Sequence, residues 1–141
     1  MSDAHLPRID ALQAQLDVSP FHRLFALTVA AVDAERQTLE LRLGFTAAVE
    51  RHPGTGQYHG GAIAALIDIA GDYALIALLG HGVPTINFRV DYLRPAAGAA
   101  LRAMARVRRA GRTIGVVDVD ILDDADRLVA VGRGCYGTQA G

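Results

Sequence analysis

Residues 60–80 read GGAIAALIDIAGDYALIALLG. Two glycines open the run, one closes it, and Asp68 and Asp72 are its only charged residues. The stretch lacks the polar face of a surface helix, so a helix here needs cover over most of its circumference. It is nearly as long as the ~20 residues that span a bilayer. Two carboxylates argue against that reading, since each costs at least ~2.5 kcal/mol at mid-bilayer. No arginine cluster marks a cytoplasmic flank either. The stretch therefore predicts a buried helix over about 60–79 inside a domain, and no membrane association.

Toward the C-terminus the pattern changes to strands, at about 84–94, 99–109, 113–122 and 127–137. In the first, Ile86, Phe88, Val90 and Tyr92 share one face, and Thr85, Asn87, Arg89 and Asp91 the other. In the second, Leu101, Ala103, Ala105 and Val107 alternate with Arg102, Met104, Arg106 and Arg108. Turns at 95–98, 110–112 and 123–126 favour an antiparallel meander. Toward the N-terminus lies a loop over 47–58 containing His52-Pro53-Gly54-Thr55-Gly56. Two strands precede it, at 24–33 and 37–43, in the second of which Leu39, Leu41 and Leu43 alternate with Glu40 and Arg42. Residues 8–17 read as a short amphipathic helix with Ile9, Leu12 and Leu16 at helical spacing, ended by Ser19-Pro20. The whole chain, 1–141, reads as one α+β domain with an N-terminal helical segment over 1–19. One antiparallel sheet supplies the cover that one long helix needs.

Composition removes several classes of chemistry. All 14 basic residues are arginine, so a P-loop lysine and a Schiff-base lysine are excluded. Ser2 and Ser19 are the only serines and no G-x-S-x-G occurs, which excludes a serine-hydrolase elbow. A net charge of −1 offers no basic field for nucleic acid. The five histidines form no H-E-x-x-H, and no metal is expected. A single cysteine, Cys135, and the absence of an apolar leader predict a cytoplasmic protein.

Three features carry chemistry. His59-Gly60-Gly61 stands at the start of the long helix, where unpartnered N–H groups and the helix dipole favour an anion or oxyanion. Asp68 follows two turns on, with no arginine within a turn of it. Either it reaches a structural partner such as Arg89 or Arg94, or it lines a cleft as a general base or nucleophile. Asp72, at i+4, shares its face and meets solvent, an arginine or a subunit contact, although two such carboxylates raise one pKa. Arg102, Arg106 and Arg108, with Arg109 and Arg112 at the next turn, read as a solvated sheet face more readily than as a phosphate grip.

The motifs H59-G-G-A-I-A-A-L-I-D68, P84-T-I-N-F-R-V-D-Y-L-R-P95, G111-R112 and a last strand ending G-R-G-C-Y-G together resemble the hotdog-fold thioesterase superfamily. The resemblance covers roughly 20–138. It is strongest to the phenylacetate-degradation-like acyl-CoA thioesterases, relatives of the 4-hydroxybenzoyl-CoA thioesterases. It implies a long helix wrapped by an antiparallel sheet, in dimers or dimer-of-dimers tetramers whose active sites lie between subunits. Asp68 of one chain would be base or nucleophile, and Gly60 N–H of the other would polarise the thioester carbonyl. His59 would shape that loop, and Thr85 would stand near the catalytic water. Gly61, His52, Gln57, Asn87, Arg94 and Arg112 complete the implied substrate-binding set. The substrate would be an acyl- or aryl-CoA, with coenzyme A part of the substrate and no separate cofactor. One position departs from the pattern. Many relatives carry Asn or Gln six residues before the His, where this chain has Pro53, and His52 or Gln57 would then orient substrate or water. That departure motivates the alternative of a non-catalytic acyl-CoA-binding protein, against which the carboxylate of Asp68 argues.

Overall fold

The computed structural model describes residues 9–140. Helix α1 (Ile9–Val18) is followed by a 3-10 turn (His22–Leu24) and strands β1 (Ala26–Asp33) and β2 (Thr38–Gly44). A second 3-10 turn (Ala47–Val49) leads to helix α2 (Gly60–Leu79). Strands β3 (Thr85–Tyr92), β4 (Ala100–Ala110), β5 (Ile114–Leu122) and β6 (Leu128–Gly137) complete the chain. In α1, Leu12 and Leu16 are buried but Ile9 is exposed, so the buried stripe is narrower than its spacing predicts. Residue 8, the predicted first residue of that helix, lies outside the described residues.

The six strands form one antiparallel sheet in the order β1-β2-β4-β5-β6-β3. This corrects the expected meander. β4 pairs with β2, and β3 crosses to the far edge to pair with β6. The segment after β3 cannot act as a hairpin loop because it is held elsewhere. The N–H of Tyr58 donates to the Ala96 carbonyl at 2.9 Å, and that of Phe45 to the Ala99 carbonyl at 2.9 Å. Tyr58 Oη also donates to the Gly98 carbonyl.

α2 packs against β2 through β6. Leu66, Ile67, Ala70 and Leu75 on the helix share one core with Leu39, Leu41 and Leu43 of β2, Leu101 and Ala103 of β4, and Val117, Val119 and Ile121 of β5. By length and composition α2 could cross a membrane, but the sheet covers it: Ile67, Ala70 and Leu75 are wholly buried. At one point a side chain of the sheet rests directly on the helix backbone. Tyr136 of β6 is wholly buried, and its hydroxyl donates to the Asp68 carbonyl at 3.1 Å. A Cβ at residue 71 would lie 2.2 Å from that hydroxyl, so only glycine admits the ring here.

The outer edge of β3 is unpaired among the described residues, and its apolar side chains are uncovered: Ile86 is 55% exposed and Tyr92 53%. A β-bulge between Thr85 and Asn87 breaks the strand's alternation. Thr85 and Tyr92 both reach α2, whereas Asn87 keeps the parity of Arg89 and Asp91 on the opposite face. The expectation that Thr85 and Asn87 share a side is thereby corrected.

Candidate active site

His59 is the N-cap of α2. Its backbone is extended and its Nδ1 accepts the Gly61 N–H at 2.8 Å. The ring therefore carries its proton on Nε2, and one orphan donor of the first turn is satisfied. The His59 carbonyl accepts from Ala62 and Ile63. Gly60 N–H is left without an acceptor among the described residues, at the positive end of a 20-residue helix. The Gly60 carbonyl is held by Tyr92 Oη, which donates to it at 2.6 Å. A cleft of about 340 Å³ opens there, lined by Arg51, Gln57, Gly60, Ile63, Tyr92 and Arg94 among others. Arg51 Nη1 donates to Gln57 Oε1 at 3.0 Å, which leaves the Gln57 amide NH₂ facing no protein acceptor among the described residues.

The second half of the site lies along the same helix. Thr85 Oγ1 donates to Asp68 Oδ1 at 2.8 Å. Among the described residues no arginine pairs with Asp68: Arg89 pairs with Asp91, and Arg94 lines the cleft at the helix N-terminus. Asp72 is more enclosed than expected. Its Oδ1 is shut from solvent without a hydrogen-bond partner. Burial, then the charge of Asp68, raises its pKa to about 7. Burial also pushes the Tyr136 hydroxyl above its ordinary value.

The candidate residues thus fall into two groups. His59, Gly60, Gly61, Gln57 and Arg94 gather at the helix N-terminus, and Asp68 and Thr85 stand two turns away. Asp68 lies eight helical steps on from Gly60, about 12 Å at ~1.5 Å per residue. His52 is exposed on the loop and does not line the cleft. Asn87 is on the outer face. Arg112 is on the exposed turn between β4 and β5, beside Gly115, whose backbone packs on Leu75 near the helix C-terminus. The remaining arginines follow the solvated-face reading. Arg102 pairs with Glu40 and Asp126, and Arg108 and Arg133 pair with Asp118. Sequence reasoning passed over Arg51, Tyr92 and Tyr136. Tyr92 carried a signal, since it opens the Tyr-Leu-Arg-Pro motif. Among the described residues no cluster of His, Cys, Asp and Glu is arranged to hold a metal ion.

Comparison with known proteins gives these groups a context. The family model described as the thioesterase superfamily matches residues 55–130. A Halobacterium salinarum protein, named an esterase by inference, is 39% identical over 121 residues, which cover 78% of this chain and 80% of that protein. The acyl-coenzyme A thioesterase PaaI of Escherichia coli is 38% identical over 77 residues, 54% of each chain. A crystal structure from Ralstonia eutropha, described as phenylacetic acid degradation-related, superposes with a TM-score of 0.72 at 28% identity, covering 93% of this chain and 92% of that one. Sheet order, wrapped helix and family match agree, and the chain belongs to the thioesterase superfamily, with its hotdog fold.

Proposed function

We propose that this protein hydrolyses acyl- or aryl-CoA thioesters in sites shared between two copies of the chain. The observation that carries the reading is the ~12 Å of helix between Gly60 N–H and Asp68. A reacting carbonyl must lie about 3 Å from its oxyanion donor and beside its base. One chain cannot bring both groups to one carbonyl, but two chains related by a two-fold axis can. The uncovered apolar edge of β3 favours such pairing, because an unpaired edge of this kind is a liability in a lone copy.

In this mechanism Asp68, oriented by Thr85, takes a proton from water, whose oxygen attacks the thioester carbon. The oxyanion forms against Gly60 N–H of the other copy, a preorganised donor of the kind that contributes about 3 kcal/mol. Collapse expels the CoA thiolate, which receives the proton from Asp68. Direct attack by Asp68 through an anhydride uses the same groups. The Gln57 amide stands in for the donor that Pro53 lacks and orients substrate in the cleft. The lone thiol of Cys135 suits a reducing compartment such as the cytoplasm.

Thiol release from a panel of aryl- and alkyl-CoA esters tests the activity. Asp68→Asn and Gly60→Pro should each lower turnover at least ~10²-fold. Proline suits this first helical position, because the preceding residue is extended and only the N–H donor is lost. Mixed and re-annealed, the two dead variants should recover about a quarter of wild-type activity, since half the dimers then hold one intact site. No recovery in verified mixed dimers would refute the shared site. A wild type that binds CoA esters and releases no thiol would establish the binding-protein alternative.

A further inference from the structure

The face of α2 that carries Asp68 carries a second carboxyl whose surroundings are unusual. Asp72 sits one turn on, and no cation among the described residues pairs with it. The titratable groups facing it are Asp68 and Tyr73 on its own helix and Tyr136 from β6, with Cys135 beyond Tyr136. The Tyr136 hydroxyl is committed to the Asp68 carbonyl. The Thr85 hydroxyl is committed to Asp68 Oδ1. That bond favours Asp68 as the charged member of the pair, and among the described residues Asp72 has no equivalent donor. Its Oδ1, sealed from solvent and without a hydrogen bond, is a poor place for a second negative charge.

We propose that Asp72 is a positioning residue of the hydrolytic site: it keeps its proton while Asp68 is the anion, and its carboxyl O–H, the one donor on this face that no protein group claims among the described residues, orients the water that Asp68 activates. The inference rests on the thioesterase reading. Its chemistry is simple. The proton stays on Asp72 through the cycle, and Asp68 alone accepts and returns one. When Asp72 ionises, the donor is lost and a second anion stands one turn from the developing charge. Burial and the Asp68 charge place that event near pH 7.

The test is the pH profile of turnover in the whole protein, with spontaneous thioester hydrolysis subtracted. Wild type should lose about tenfold between roughly pH 6 and pH 8, as a group of that pKa gives up its proton. Asp72→Asn keeps a donor and cannot titrate, so its profile should stay level within about twofold over the same range. Asp72→Ser, a shorter neutral donor, should be level too, and serves if the amide variant fails to fold. A wild-type limb that persists in either folded variant overturns the proposal, because a purely structural Asp72 leaves the profile in place. The infrared band of a protonated carboxyl separates the two readings. A band lost on raising the pH and absent from Asp72→Asn, in a protein that cleaves no CoA ester, retains the protonated Asp72 and refutes its catalytic role. A band that Asp72→Asn leaves unchanged refutes the proposal entirely.

Discussion

Replacing Gly71 with alanine should destabilise the protein, although glycine in a helix interior is normally the worse residue by about 1 kcal/mol. The new Cβ would stand 2.2 Å from Tyr136 Oη and 2.9 Å from its Cζ. The ring has no retreat: Tyr136 is wholly buried, and a Cβ at Gly134 on its own strand would also fall 2.5 Å from the same hydroxyl. Forcing a methyl into a packed core costs about 1–3 kcal/mol. Displacing the hydroxyl from the Asp68 carbonyl leaves a buried donor unpaired, for a further ~1–3 kcal/mol. Set against the gain in helix propensity, the net loss is about 3 kcal/mol. Equilibrium urea unfolding at fixed protein concentration measures it, and the fixed concentration matters if the folded state is an oligomer. Tyr136→Phe removes the clashing oxygen. In the double variant the two changes should couple favourably by at least ~1 kcal/mol. A Gly71→Ala protein as stable as wild type, or strictly additive effects, would refute the argument that the helix is seated on this hydroxyl.

Three further outcomes are expected. His59→Ala removes the ring that caps Gly61 N–H, and should cost about 1 kcal/mol of stability, read by thermal or urea unfolding. Thr85→Val should lower kcat about tenfold with little change in KM, and Thr85→Ser should restore most of it, since the hydroxyl donated to Asp68 is the working part. Acid should destabilise the protein through Asp118 and Asp123. The hydrogen bond from Arg133 holds Asp118 below its ordinary pKa, and backbone N–H donors, that of Arg127 foremost, do the same for Asp123. Their contribution is present above the unfolded carboxylate range and is lost as the pH falls through the lowered values. Asp118→Asn should flatten that acid limb in a stability-against-pH series, and an unchanged limb would refute the assignment.

The long helix was legible because no amphipathic alternative fits residues 60–80, and a helix so apolar requires a sheet to cover it. Strand identities were legible from alternation in β2 and β4. The meander was not a sound inference, because Pro95 to Gly98 looks like a hairpin turn until Tyr58 and Phe45 capture its neighbours from elsewhere in the chain. The bulge at Thr85 was invisible for a similar reason. Strand parity runs unbroken in a sequence, and only the pairing with β6 inserts the extra residue. At the site, Gly60, His59 and Asp68 could be named from spacing along one helix. The enclosure of Asp72 depends on which side chains other elements pack over it, and local spacing holds no record of that. Gln57 and Arg94 could be named, but their meeting with Arg51 and Tyr92 at one cleft is a product of the crossover.

The loop before the long helix is gathered around one carboxylate. Glu50 accepts the N–H of Gly54 and of Gly56, the latter at 2.8 Å, and both glycines hold positive φ. His52, Pro53 and Thr55 between them point their side chains at no partner in the core and are exposed. The loop that leads to the cleft is therefore anchored through main chain and the Thr55 hydroxyl, while the side chains of His52 and Pro53 are unconstrained by packing. Positions 52 and 53 can therefore change while the scaffold's folding energy stays nearly constant, because no packing in the core depends on their side chains.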